Sequence, residues 1–215
     1  MSEGTVFIVD DDEAVRESLS ALLMSTGLNV IAFASAEAFL LGYTPVQVSC
    51  AIIDLRMPGM DGMTLLEHLR SKGVNLPVIV VTGHADVPLA VRAMKAGAVD
   101  FIEKPYTTAA MQDAVRRALD SARAGALGQI DQTDARNRVA SLTARERDVL
   151  RLLVIGHPNK IIAFQLSISP RTVEIHRANV MKKLNAESLS HLVRMALAVG
   201  VGSDEGTASA LGESP

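Results

Sequence analysis

Cysteine occurs once in the 215 residues, at position 50 inside an apolar run, so no internal disulfide can form. That usage suits a reducing cytoplasm, with Cys50 a core residue. No apolar run approaches the ~18 residues that a membrane helix needs. Met1-Ser-Glu-Gly leads straight into a short apolar stretch, without the basic and apolar regions of an export signal. A soluble, unexported chain with no membrane partner is expected. Also missing is a Gly-rich nucleotide loop of P-loop or Rossmann spacing, since Gly59 and Gly62 sit in a Pro-containing turn rather than opening a phosphate-cradling helix.

Strong net charge is absent too, but the formal −3 hides an asymmetry. Residues 1–122 carry nine Lys/Arg against fifteen Asp/Glu, a net of −6, while residues 141–200 carry nine against four, a net of +5. An acidic first unit suits cation chemistry and a basic second unit suits a polyanion, although two independently solvated surfaces give the same imbalance.

What is present in the first 122 residues is an alternation of β-rich runs and helix-period segments, the pattern of stacked βαβ units and a parallel sheet. Strands are expected at Thr5–Val9, Asn29–Phe33, Cys50–Ile53, Val78–Val81 and Val99–Ile102. The intervening helices run from about Glu13 to Thr26, Ala36 to Leu41, Met63 to Lys72, Val87 to Ala96 and Thr107 to Arg123. Strands such as Cys50-Ala-Ile-Ile are apolar on both faces, as in a doubly wound sheet covered by helices on each side. In such α/β folds polar function gathers at the carboxyl ends of the strands.

Four of those ends deliver a polar group: Asp10-Asp11-Asp12 after the first, Asp54 after the third, Thr82-Gly83 after the fourth and Glu103-Lys104-Pro105 after the fifth. Any one acid there is as readily a helix cap or a solvated side chain; the joint placement at one edge is not. Carboxylates crowded at one edge repel each other unless a cation compensates, and a hard divalent ion with oxygen ligands, Mg²⁺ first, answers that need. An Asp beside such an ion is a carboxylate nucleophile toward phosphorus, with a Lys ammonium and a Thr hydroxyl to meet the phosphoryl oxygens. Asp54, Lys104 and Thr82 fit those three roles.

These residues, in Asp10-Asp11, Ile53-Asp54-Leu-Arg-Met-Pro58-Gly59-Met-Asp-Gly62, Thr82-Gly83 and Lys104-Pro105, make residues 4–122 resemble the response-regulator receivers. The resemblance implies a (βα)5 flavodoxin-like receiver in which Asp54 accepts phosphate from a sensor histidine kinase. Asp11, Asp54 and the backbone carbonyl of Arg56 would hold Mg²⁺, with Asp10 assisting. By the same resemblance Lys104-Pro105 is a cis peptide, and Thr82 with Phe101 forms the relay that responds to phosphate. The run Asp86 to Gly97 is similar to that of the FixJ group, whose corresponding helix makes a phosphorylation-dependent dimer contact, with Val91 and Lys95 as exposed candidates here. Haloacid-dehalogenase-type phosphatases also use an Asp nucleophile, but they place a second Asp two residues on, where this chain has Arg56. No enzyme beyond slow hydrolysis of its own aspartyl phosphate is expected.

Residues 123–140 lose apolar periodicity and read as a solvated linker, with a helical extension of the preceding segment left open. From Leu142 to Val199 four short helices are expected, and residues 201–215 read as a disordered tail. Thr143 and Glu146 have capping-box spacing. Ser169 and Pro170 are placed as N-cap and first residue of a basic helix to about Leu184. A freshly capped basic helix after a short helix and a tight turn is how a recognition helix meets the major groove, although alone it is as readily a solvated face.

Leu142-Thr-x-Arg-Glu146, Asn159-Lys160-x-Ile-Ala163, Ser169-Pro-Arg-Thr-Val173, His176, Asn179 and Lys183-Leu184 resemble the LuxR-type helix-turn-helix of the NarL/FixJ regulators over residues 142–196. The resemblance implies an all-α domain, residues 141–200, that binds double-stranded DNA to regulate transcription. Glu174, Ile175 and Ala178 would read base edges, and Arg171, Thr172, Arg177 and Lys182 would meet the backbone. Pro158 departs from the Ser that usually caps the helix at Asn159, a change that can move that start by about a turn. The expected mechanism is a homodimer formed on phosphorylation, with RNA polymerase as a further partner, against the alternative of a protein-interaction module without sequence-specific DNA binding.

Overall fold

Val6-Phe-Ile-Val and Cys50-Ala-Ile-Ile become strands with nothing exposed on either face, the signature of a parallel sheet clothed by helices. The computed structural model describes residues 4–83, 86–124 and 132–202. Its first unit interleaves five strands, β1 (Thr5–Val9), β2 (Asn29–Phe33), β3 (Ser49–Asp54), β4 (Val78–Thr82) and β5 (Asp100–Glu103), with five helices. These are α1 (Glu13–Met24), α2 (Ala36–Gly42), α3 (Gly62–Ser71), α4 (Val87–Lys95) and α5 (Thr108–Arg123). All pairings are parallel in the order β2-β1-β3-β4-β5, so the strand order reverses at β1.

Alternation along the strands divides the core. Val6, Ile8, Cys50, Ile52, Ile79 and Val81 pack with Leu19 and Leu23 of α1 and with Met111, Val115 and Leu119 of α5. Phe7 points the other way and meets Phe39 of α2 edge-on, with ring centroids 5.9 Å apart. Each helix starts where a side chain satisfies its first free amides: Asp12 for α1, Ser35 for α2, Asp61 for α3, Asp86 for α4 and Thr107 for α5. All five caps follow strand ends, so capping and site-building share one edge of the sheet.

α4 corrects one expectation. Its apolar stripe buries Ala90, Val91, Ala93 and Met94, and Val91 is only 2% exposed. Val91 therefore belongs to the receiver's own core and is no candidate for a contact between copies. The exposed side of α4 carries Pro88, Arg92 and Lys95, spaced four and three residues apart.

Among the described residues the second unit starts with a helix that precedes the four expected ones. Part of the stretch read as linker is helix α6 (Gln132–Ala140), which contacts α9 and α10 rather than extending α5. Its signal is weak because one small side chain, Ala135, carries the burial at 0% exposure, and polar contacts do the rest. Residues 125–131 and the expected disordered tail from 203 lie outside the described residues. α7 (Ala144–Ile155), α8 (Asn159–Leu166), α9 (Pro170–Leu184) and α10 (Leu189–Ala198) complete the unit. Val149, Leu150 and Leu153 of α7, Ile162 of α8, Val173, Val180 and Leu184 of α9, and Leu192 and Val193 of α10 supply its core.

Candidate phosphoacceptor site and nucleic-acid interface

The β1 and β3 ends bring Asp10 and Asp54 to the same point, at 4% and 6% exposure. Lys104, just past β5, places its Nζ 2.8 Å from Asp10 Oδ2 and 2.7 Å from Asp54 Oδ1. Burial alone would lower the pKa of this ammonium. Its hydrogen bonds to the two carboxylates and their charges together outweigh that and hold it above the ordinary lysine range. The Lys104-Pro105 peptide is cis. Tyr106, one residue on, has its phenol pushed up by burial and by the charges of Asp10 and Asp54, against the pull of Lys104.

Each carboxylate has a second tether. Asp10 Oδ1 accepts from the Asp12 amide at 3.0 Å, and Asp54 Oδ2 from the Arg56 amide at 2.6 Å. Thr82 ends the neighbouring strand with its side chain buried, and its carbonyl accepts from the Lys104 amide at 2.8 Å. Phe101 lies half-buried on β5 opposite Val80, two residues below the Thr82–Glu103 pair. Arg56 turns its side chain to solvent.

Asp11 is not drawn into the cluster: it is exposed, while Lys104 binds the other two carboxylates. Among the described residues no three His, Cys, Asp or Glu side chains converge as a ready-made cation cage. The donor chemistry nevertheless fits Mg²⁺. Two buried carboxylates share a single ammonium, which leaves net negative charge, and a third carboxylate follows directly in the chain.

Two residues at this edge escaped the sequence reading. Arg16 of α1 donates from one guanidinium nitrogen to the carbonyls of both Asp10 and Asp11, each at 2.9 Å, and so clamps the acidic loop. Glu37 of α2 accepts from the Met60 amide at 2.9 Å. Arg16 had a usable signal, lying one helical turn beyond the Asp12 cap; Glu37 had none, because its partner is 23 residues away.

In the helical unit, Thr143 and Glu146 form the reciprocal capping box. Glu146 Oε2 also receives Lys183 Nζ of α9 at 2.7 Å. Hydrogen bonds from Lys183 and the Thr143 amide hold the Glu146 carboxyl down to about 2. α8 starts at Asn159 with no side-chain cap from Pro158, whose carbonyl instead takes the Ile161 and Ile162 amides. Ser169 caps α9 by accepting from the Thr172 amide at 3.1 Å, with Pro170 in the first turn.

One exposed face of α9 carries Arg171, Glu174, Ile175, Ala178 and Lys182, a run of helical spacing. Ile175 is 55% exposed. The other two candidates are engaged at home. Thr172 shares a hydrogen bond with Ser169, and Arg177 is half-buried, donating to Asn159 Oδ1 of α8 at 2.7 Å. Burial lowers the Arg177 pKa, with Glu174 opposing.

Comparison with known proteins accounts for both units. The response regulator receiver domain matches residues 6–116, and the bacterial regulatory proteins of the luxR family match residues 140–196. The chain belongs to the FixJ/NarL response regulators. It is 52% identical over 202 residues to the transcriptional regulatory protein FixJ of Rhizobium meliloti (strain 1021), covering 94% of this chain and 99% of the relative. The solved full-length FixJ from B. japonicum is 43% identical with a TM-score of 0.54, covering 93% of this chain and 98% of that one. FixJ-N is 50% identical with a TM-score of 0.52, over 56% of this chain and 96% of that structure.

As a FixJ-like response regulator the chain joins a flavodoxin-like receiver to a LuxR-type DNA-binding domain, the parts of a phosphorylation-controlled transcription regulator. Its relatives are regulators of transcription and not enzymes. Membership makes a histidine kinase and DNA the partners of the two units, and receiver domains hold Mg²⁺ in their acidic pocket. Among the described residues no helix is long and apolar enough to cross a membrane.

Proposed function

We propose that a cytoplasmic sensor histidine kinase phosphorylates Asp54 and that the modified receiver dimerises, bringing two helical domains to a two-fold DNA site to activate transcription. The observation that carries this reading is Lys104 bridging Asp10 and Asp54 at the carboxyl edge of the sheet. A carboxylate oxygen of Asp54 bonds to phosphorus as the bond from phosphorus to the kinase histidine breaks. Lys104 then exchanges part of its contact with Asp54 for a phosphoryl oxygen, and the Thr82 hydroxyl donates to another.

Asp10, Asp11, Asp54 and the Arg56 carbonyl would hold Mg²⁺, which supplies positive charge for the phosphoryl oxygens. Phe101, next to the β4 end, follows Thr82 and carries the change toward α4. The contact between copies falls on the exposed side of α4, where Lys95 stands with Pro88 and Arg92. Slow hydrolysis of the aspartyl phosphate resets the switch.

On DNA, the α9 face reads bases through Glu174, Ile175 and Ala178 and meets phosphates through Arg171 and Lys182, with Thr172 at the capped N-terminus and Arg177 nearer the scaffold. Glu174 is suited to a cytosine amino group. RNA polymerase is the further partner activation requires, and Ile161 and Phe164 of α8, 42% and 84% exposed, offer apolar surface for a protein contact.

Duplex binding by the phosphorylated protein across a salt series tests the DNA-binding half. Each phosphate neutralised contributes about −0.9 to the slope of log affinity against log salt, so Lys182→Ala should flatten that slope by roughly one. A wild-type affinity that ignores salt would leave the protein-interaction alternative as the better account.

A further inference from the structure

Resting on that reading, we propose that Glu37 is a positioning residue for the Mg²⁺ site: from α2 it fixes the loop between Asp54 and α3, and so the direction in which the Arg56 carbonyl is offered. The loop is closed at its base by the Leu55 amide on the Val81 carbonyl and by the Gly62 amide on the Leu55 carbonyl, at 3.0 and 3.1 Å. Gly62 is needed there because any Cβ would run into the Asp54 carbonyl oxygen. Asp54 Oδ2 holds the start of the loop through the Arg56 amide.

The far side of the loop, Gly59 and Met60, is tethered from α2 by the Met60 amide, which donates to Glu37 Oε1 at 2.9 Å. Gly59 lies at φ +77°, and a Cβ on it would come within 2.8 Å of the same Oε1. The left-handed turn and the carboxylate are thus fitted to one another. Glu37 is held in its charged form below the ordinary carboxylate range by its own amide, the Met60 amide and the Ser35 hydroxyl. It sits in the first turn of α2, where the free amides of the helix favour an anion. Groups that orient a metal ligand from one shell out typically change affinity by about 10–100-fold when removed.

Two substitutions separate the hydrogen bond from the charge. Glu37→Asp keeps the anion in the first turn of α2 but withdraws the acceptor by about 1.5 Å, beyond hydrogen-bond reach of Met60. Glu37→Gln discards the charge but keeps a carbonyl oxygen at the same reach. Mg²⁺ titration of the full-length, unphosphorylated protein, followed through the backbone amide resonances of Arg56 and Met60, reads affinity without any reaction.

The expected result is that Glu37→Asp weakens Mg²⁺ binding about tenfold while Glu37→Gln stays within about twofold of wild type. The same order should appear in the Mg²⁺ concentration that half-saturates phosphorylation by a small phosphoryl donor. Gly59→Ala should reproduce the Asp phenotype from the other side of the bond. Wild-type Mg²⁺ affinity in Glu37→Asp would overturn the inference and leave the phosphoacceptor reading intact. A wild-type protein that neither binds Mg²⁺ nor takes phosphate on Asp54 would overturn that reading first.

Discussion

Glu146 shows how one side chain can serve two levels of structure. It closes the capping box of α7 and, through Lys183, ties α7 to α9, with its side chain 5% exposed. Because its pKa is held down to about 2, against about 4.3 for a free glutamate, its contribution to stability is complete above the unfolded value and is lost as pH falls toward 2. We therefore expect the resonances of α7 and α9 to broaden or disperse below about pH 4. In Glu146→Gln, which cannot titrate, this acid response should shrink, with a lower stability at neutral pH. An unchanged acid profile in the variant would remove Glu146 from that role. The capping half of this site was readable from Thr143-x-x-Glu146; the Lys183 half was not, since a partner 37 residues away leaves no spacing signal.

At the scale of elements, the β-strands were the most legible part. β1 and β3 run as their β-branched and apolar patterns indicate, because burial on both faces of a parallel sheet leaves no competing assignment. α4 and α6 were less legible for opposite reasons. In α4, Val91 has the same apolar character whether it faces core or partner, and only the observed phase of the helix places it inside. In α6, the apolar signal is reduced almost to Ala135, and the helix is held by Arg138. Its guanidinium pairs with Asp134 one turn earlier and donates to the Leu184 carbonyl at the end of α9. α6 thereby satisfies a terminal carbonyl of the helix that would read DNA. Arg138→Ala should cost about 1 kcal/mol and should raise amide exchange in the last turn of α9 before it affects the first. Uniform exchange along α9 in the variant would contradict this.

For the whole molecule, the charge division seen in the sequence corresponds to two compact units, one acidic and carrying Asp10, Asp54 and Lys104, one basic and carrying α9. Site residues at strand ends were legible because parallel topology collects those ends at one edge. The α9 face was legible because capping and helical spacing are local. The clamps that hold the site, Arg16 and Glu37, were not, because they act across the chain on backbone groups that carry no side-chain identity. On the function proposed above, chemistry in the first unit governs affinity in the second through assembly. Intact mass and sedimentation velocity of wild type and Asp54→Asn, each with and without a phosphoryl donor and Mg²⁺, test that claim most directly. The account predicts one phosphoryl adduct and a monomer-to-dimer shift in the wild type, both absent from Asp54→Asn. A dimer that forms equally without the donor, or an adduct that persists in the variant, would contradict it.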